Sequence, residues 1–379
     1  MKYFIVAGEP SGDALGAKLL AALRLRDPRA DLCGVGGDAM ARQGFVSLFP
    51  LADISVMGIL PVIAHLPTLL RRIDETARAV VAANPDVLVL IDSPDFTHRV
   101  AKKARAALPG LKVVDYVSPT VWAWRPGRAK KMKKIIDLVL ALLPFEPAAH
   151  ERLGGPRCIY VGHPLIERLA ELRGDQAVRK NGPVLVLPGS RRSVVARMAP
   201  VFRDALVRLD EKRPDLDFVL PVAGPVAETV RAEVESWPVK PRIVTGEAEK
   251  FAAFRNARAA LAASGTVTLE LALSGVPAVV AYKVPKFEEF IARRMVQVPT
   301  IVLPNLILGE NAYPEFLQEQ AEGAILAEAV AALLDDGPDR RRQTEALARL
   351  ADKMLLPGGQ TPSGAAASAI TDLLLPIHA

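Results

Sequence analysis

Two carboxylates three residues apart, Asp92 and Asp95, stand just past an apolar run in "IDSPDFTHRV" (91–100). A carboxylate at the end of a buried strand can take a proton from an attacking hydroxyl. One of the two could instead cap the next helix, whose first turn would hold Pro94. Asp92 is the better cap and Asp95 the better base. A second stretch, "VLPGSRRSVV" (186–195), ends a β-branched run with a tight turn, two guanidinium groups and a helix start. Ser190, Arg191 and Arg192 in that setting suit an anion, most simply a phosphate. A third, "AASGTVTLELALSGVP" (262–277), repeats the plan. Ser264, Gly265 and Thr266 fall where the amides of a helix N-terminus point outward, which suits a diphosphate. Glu270, one turn beyond Thr266 on the same helix face, could bridge ribose hydroxyls. The alternative is that the hydroxyls only cap the helix and Glu270 is solvated.

Three further stretches carry weaker signals. In "AGEPSGDALGA" (7–17), Gly8, Gly12 and Gly16 allow a tight turn and free amides at a helix start. Glu9 and Asp13 disfavour a pyrophosphate there and suit sugar hydroxyls; simple turn chemistry is the alternative. In "VSPTVWAWRPGRAKKMKK" (117–134), Trp122 and Trp124 precede six cations, beginning with Arg125, and no acid interrupts them. Aromatics beside cations fit nucleic acid or a membrane interface. A solvated basic helix after a packed turn is the plain alternative. The segment 55–75 is apolar, is broken by Pro61 and Pro67, and ends in Arg71 and Arg72. It reads as a lid that dips into lipid, or as an ordinary core-facing helix and loop.

These loops must be held by something, and the pattern around them is regular. Short apolar runs at 2–7, 86–92, 111–118, 138–142 and 158–162 alternate with amphipathic stretches. After a polar break the series restarts at 183–188, 217–222, 241–245, 259–264 and 276–282. Most of these runs lack in/out alternation, as strands covered on both faces do. The class is therefore α/β: two domains, each a parallel sheet flanked by helices. The charged segment 167–183 separates them, giving domains 1–166 and 167–349. The helical tail, about 350–379, is expected to pack back on the first domain or to exchange with a partner chain in a homodimer. The carboxylates fall in the first domain and both phosphate-like loops in the second. A donor nucleotide would then be held by the second and an acceptor by the first.

Composition narrows the classes. Half of the 379 residues are hydrophobic and 24% are charged, with net charge +6. An anionic partner fits that balance. Two distant cysteines, Cys33 and Cys158, exclude a disulfide scaffold and imply a reducing compartment. No CxxC or His/Cys cluster suggests a metal. No stretch reaches the roughly 20 apolar residues of a membrane span, so membrane contact would be peripheral. A dinucleotide oxidoreductase is disfavoured because GxGxxG is missing.

Taken together, the motifs resemble one family, lipid-A-disaccharide synthase, a glycosyltransferase of the GT-B type, which implies two Rossmann-like domains facing a cleft. The segments that carry the resemblance, in order, are "GEPSGD", "GVGG", "VMG" (56–58), "DSPDF", "VSPTVWAWRPGR", "LLPFE", "VGHPL", "LPGSRRS", "SGTVTLE", "AYKV" and "LPNLILGE" (303–310). They span about four-fifths of the chain. The chain departs from the family's usual pattern at Pro10, Thr97 and Val194, which bears on local loop geometry. The resemblance implies a reaction: UDP-2,3-diacylglucosamine and 2,3-diacylglucosamine 1-phosphate condense to a β-1′,6-linked disaccharide phosphate and UDP. It implies a cytoplasmic enzyme held peripherally at the anionic inner-membrane surface; no acidic pair accompanies the phosphate-like loops, so no metal or other cofactor is expected, and nucleic acid is not expected as a partner. Asp95 becomes the general base, and Arg191 and Arg192 the cations that meet the leaving diphosphate or the acceptor's phosphate. Substrate contacts are implied at Glu9, Ser11, Gly12, Asp13, Met57, Trp122, Arg125, Ser190, Ser264, Gly265, Thr266, Glu270 and Asn305. Another UDP-sugar enzyme of the same fold, an N-acetylglucosaminyltransferase or an epimerase, is the near alternative.

Overall fold

The computed structural model describes residues 1–55, 65–174 and 179–375. The chain divides into two units, Met1–Pro164 with Leu356–Ala379, and Leu165–Leu355. Each is built on one six-stranded, all-parallel sheet.

In the first unit the strands are β1 (Lys2–Ala7), β2 (Asp31–Val35), β3 (Val87–Ile91), β4 (Lys112–Tyr116), β5 (Leu138–Ala141) and β6 (Arg157–Tyr160). They lie in the order β2-β1-β3-β4-β5-β6. Alternate residues feed two cores. Tyr3, Ile5, Val87 and Val89 pack on one face, and Phe4, Val6, Leu88 and Leu90 on the other. Both faces are covered, which is why these strands read as unbroken apolar runs. The C-terminal helix Pro362–Leu374 lies against the helix Pro10–Arg26. Its Ala366, Ala367 and Ile370 are fully buried in the first core.

The second unit has β7 (Val184–Leu187), β8 (Phe218–Val222), β9 (Arg242–Thr245), β10 (Ala259–Ala263), β11 (Ala278–Tyr282) and β12 (Glu315–Leu317). Their order is β12-β11-β10-β7-β8-β9. The polar segment before β7 is more than a linker. Arg179 is fully buried and donates from Nε to Arg255 O (3.0 Å), from Nη1 to Gly275 O (2.7 Å) and from Nη2 to Ser274 O. A guanidinium there satisfies the last carbonyls of the helix Thr266–Ser274 and complements its dipole.

β2 and β12 do not figure among the apolar runs of the sequence. Both are edge strands. β2 is exposed at its start, and β12 is three half-buried residues. β6 and β9 are edges too and are legible, so the difference lies in length and composition: β2 begins on an exposed aspartate and β12 has only three residues.

Both sheets reverse direction once. In the first, the chain passes from β1 out to β2 and returns to add β3 on the other side of β1. In the second, β7, β8 and β9 run one way, and β10 returns to the other side of β7. At such a reversal the neighbouring loops leave toward opposite faces of the sheet. A crevice opens between them at the carboxyl ends of the strands.

Candidate active site

The reversal between β7 and β10 carries the "LPGSRRS" and "SGTVTLE" loops. Between them is a cavity of about 530 Å³ whose lining includes Ser190, Arg191, Ser264, Gly265, Thr266 and Glu270. Gly189 makes the turn possible. Its φ is +121°, and a Cβ there would lie 2.7 Å from Val194 Cγ1. Val194 buries its side chain under the loop that Gly189 turns. Ser264 donates from Oγ to Ile301 O (2.8 Å), which pins the loop and leaves its backbone at the cavity. The helix Thr266–Ser274 begins at the cavity, with no side chain capping its free amides. Arg192 is the first residue of the helix Arg192–Lys212, is exposed, and does not line the cavity. The arginine pair is thus divided.

Glu270 is held by a residue the sequence did not single out. Lys250 donates to both carboxylate oxygens, at 2.9 and 3.0 Å, and it also lines the cavity. Lys250 stands on the helix Glu247–Asn256, twenty residues before Glu270. No local spacing announces such a pair. Asn305 stands apart. It is buried, its amide donates to Asn311 Oδ1 (3.0 Å) and Tyr313 O (2.9 Å), and its Oδ1 accepts from Tyr313 N (2.9 Å). Its side chain is committed to holding its own loop.

The reversal between β1 and β3 carries the acidic loops. Asp92 and Ser93 have left-handed backbone, φ +61° and +45°, and Val117 at the end of β4 has φ +84°. Such conformations in non-glycine residues gather where the chain must aim side chains at a site. Gly8 lets the loops meet, since a Cβ there would lie 2.2 Å from Ser93 Cβ. Ser93 donates from Oγ to Glu9 Oε1 (3.1 Å), and Ser11 from Oγ to Asp92 Oδ2 (3.3 Å). Thr97, fully buried, donates to the carbonyls of Asp92 and Ser93 at 3.0 and 3.1 Å, and so braces the strained pair. Pro10 takes the first position of the helix Pro10–Arg26, where a missing N–H costs nothing. Gly12 is buried against Ile91 O.

The cap expected of Asp92 is not made. Ser93 is the N-cap of the helix Pro94–Ala107, without a side-chain cap bond, and the Asp92 carboxylate accepts from the adjacent Ser93 N (2.8 Å). Asp13 also differs from the sugar ligand the sequence suggests. It is buried and accepts from the amides of Gly37 (2.8 Å), Ala39 (2.8 Å) and Met40 (3.0 Å). Its role is to start the short helix Asp38–Ala41.

Asp95 is exposed in the first turn of the helix Pro94–Ala107, with its side chain 86% accessible. Arg128 Nη2 donates to its Oδ1 at 2.9 Å. The basic stretch that supplies Arg128 splits into two environments. Trp122 is a core residue rather than a surface aromatic. It meets Phe145 edge-on at 4.9 Å and donates from Nε1 to Glu146 Oε1 (3.0 Å). Burial pushes the Glu146 carboxyl up to about 7. Trp124 is exposed, with the Arg125 guanidinium 4.2 Å over its ring. Residues 56–64, Met57 among them, lie outside the described residues. The part of the apolar segment that is described joins the helix Leu66–Ala83, where Leu66 and Leu70 are exposed. Among the described residues no helix is long and apolar enough to cross a membrane.

A family model described as LpxB, lipid-A-disaccharide synthetase, matches residues 3–357. Lipid-A-disaccharide synthase of Nitrobacter hamburgensis is 52% identical over 379 residues, covering 98% of this chain and 96% of that one. The enzyme of that name from Rhodopseudomonas palustris strain HaA2 is 51% identical over the same shares. Among solved structures, a UDP-GlcNAc 2-epimerase from Neisseria meningitidis bound to UDP-GlcNAc aligns with a TM-score of 0.62. It covers 99% of both chains at 13% identity, a likeness of fold alone. With the family model matching most of the chain and relatives sharing half of its residues, the chain belongs to the lipid-A-disaccharide synthase family, glycosyltransferases of the GT-B fold.

Proposed function

We propose that this chain condenses UDP-2,3-diacylglucosamine with 2,3-diacylglucosamine 1-phosphate, forming a β-1′,6-linked disaccharide 1-phosphate and UDP. The observation that carries the reading is the β7/β10 crevice. It combines two phosphate-type loops, a helix N-terminus and a half-buried carboxylate in one cavity of about 530 Å³. The amides around Ser264–Thr266, with Arg191, would take the diphosphate, and Glu270, oriented by Lys250, the ribose hydroxyls.

The chemistry is a single displacement. The acceptor's 6-hydroxyl oxygen forms a bond to the donor's anomeric carbon as the bond from that carbon to the β-phosphate oxygen breaks. Configuration inverts, so one base and no covalent intermediate suffice. Asp95 accepts the hydroxyl proton. Arg128 holds Oδ1 and leaves Oδ2 to face the acceptor. Negative charge grows on the departing β-phosphate, where preorganised amides and Arg191 stabilise it most. Trp124, Arg125, Lys133 and Lys134, all exposed, would rest on an anionic membrane surface at the cytoplasmic side.

The test is UDP release by the purified chain given both acylated sugars in detergent micelles. Release is expected with and without chelator, and none is expected from UDP-N-acetylglucosamine alone. Epimerised sugar or UDP formed from that nucleotide sugar without lipid would overturn the reading.

A further inference from the structure

Beside Asp95 a second, smaller pocket of about 220 Å³ opens between the helices Pro94–Ala107 and Gly127–Met132. Its lining is strongly cationic: Arg99 and Lys102 from the first helix, Arg128 and Lys131 from the second. Asp95 is the one carboxylate in the lining, and Arg128 is its partner. Among the described residues no carboxylate pairs with Arg99, Lys102 or Lys131. All three are exposed at the rim of this one pocket, and an anion seated in it would be attracted by each of them. The spacing is helical. Asp95, Arg99 and Lys102 fall on one face, and Arg128 and Lys131 on another. Arg99 and Lys102 stand about 6 and 10 Å further along the helix axis than Asp95. In a pyranose 1-phosphate the carbon bearing the phosphate is joined through the ring oxygen to the carbon bearing the hydroxymethyl arm, so phosphate and 6-hydroxyl stand roughly one helical turn apart, the Asp95-to-Arg99 interval.

We infer that Arg99, Lys102 and Lys131 form the site for the acceptor's phosphate monoester, placing that sugar's 6-hydroxyl at Asp95. The inference rests on the reading of Asp95 as the base that activates the acceptor. It makes these cations specificity determinants: they select a sugar 1-phosphate over the same lipid without phosphate. The charge-assisted contacts bind the acceptor in ground and transition states alike, so their loss is read in KM more than in kcat.

The experiment uses the full chain in neutral detergent micelles with saturating donor, and acceptor with or without its 1-phosphate. For the Lys102→Ala/Lys131→Ala variant, KM for the phosphorylated acceptor is expected to rise about tenfold or more. KM for the phosphate-free acceptor and for the donor should hold, and Lys102→Arg/Lys131→Arg should restore the wild-type value. Equal losses on both acceptors, or no loss, would overturn the inference. So would unchanged kinetics in micelles with lost binding to phosphatidylglycerol vesicles, which would give the cations to a lipid headgroup. Calorimetric binding of glucosamine 1-phosphate to wild type and variant needs no turnover. If wild type binds it and the variant does not, yet neither acylated pair yields UDP, the anion site stands and the proposed reaction falls. If wild type fails to bind it while turnover proceeds equally on both acceptors, the site falls and the reaction stands.

Discussion

The two units reach their reversal points by the same parallel-sheet logic and arrive at opposite kinds of crevice. At β1/β3 the chain fills its own gap. Gly8 lies close under Ser93, Ser93 reaches Glu9, and Ser11 reaches Asp92. At β7/β10 the gap stays open. Nothing lies within 4 Å of where a Gly265 Cβ would be, and the cavity holds about 530 Å³. The charges differ as well. The first crevice presents Glu9, Asp92 and Asp95, the second Arg191, Lys250 and uncapped amides. Buried ionisable groups also divide unevenly. Among the described residues and leaving tyrosines and cysteines aside, Asp13, His98, Asp115, Glu146 and His150 are in the first unit, against Arg179 in the second. Topology supplies a crevice in each case. The first residues after each strand decide whether it suits a nucleotide or proton transfer.

The largest effect expected from breaking that division is at Asp95. Asp95→Asn should lower turnover by roughly 10²–10⁴-fold and leave the Kd for UDP unchanged. If most activity survives, the base lies elsewhere. Glu9 is then next, because the Asp13 carboxylate is occupied by three amides.

Next is the buried carboxyl behind Trp122. With Glu146 pushed up to about 7 from an ordinary 4.5, the native state keeps a proton that the unfolded chain has already released. Its contribution to stability is full below pH 4.5, is lost as pH rises to about 7, and is flat beyond. The decline should be about 3 kcal/mol. Glu146→Gln should flatten urea midpoints measured at pH 5 and pH 8; an unchanged slope would remove Glu146 as its source.

Third, the closed and open crevices should answer differently to one methyl group. Gly8→Ala forces a Cβ into Ser93 and should cost about 2 kcal/mol in denaturant unfolding. Glu270→Ala should weaken UDP binding about tenfold, through loss of a charge-assisted contact. Equal UDP affinity would remove its ribose assignment. Smallest of all, Gly265→Ala should move stability by less than about 0.5 kcal/mol. A large loss there would mean that the second crevice is as tightly filled as the first.

Reading the chain alone reaches some of this and stops for physical reasons. The buried strands are legible because two covered faces demand continuous apolar residues, whereas β2, exposed at its start, and β12, three residues long, offer too short an apolar run. Ser190, Arg191, Ser264 and Thr266 are legible because each follows a strand within a few residues. Lys250 and Arg128 are illegible as partners, lying twenty and thirty-three residues from the carboxylates they meet. Asp13 and Asn305 look like ligands because a polar side chain in a loop rich in glycine or proline gives no sign of whether its hydrogen bonds go to substrate or to nearby amides. Trp122 looks like a surface aromatic because its neighbours are cations, yet its ring packs inward on Phe145.

The sequence by itself determined the alternation of elements, the loops that can hold an anion and the family to which the chain is similar. These follow from consecutive residues, whose chemistry is set within a strand end and the next helical turn. The tertiary structure decided which loops stand side by side, which crevice stays open and which cations answer which carboxylates. Strand order and ion pairing join residues far apart in the chain, and their energies exist only once the sheet has brought them together.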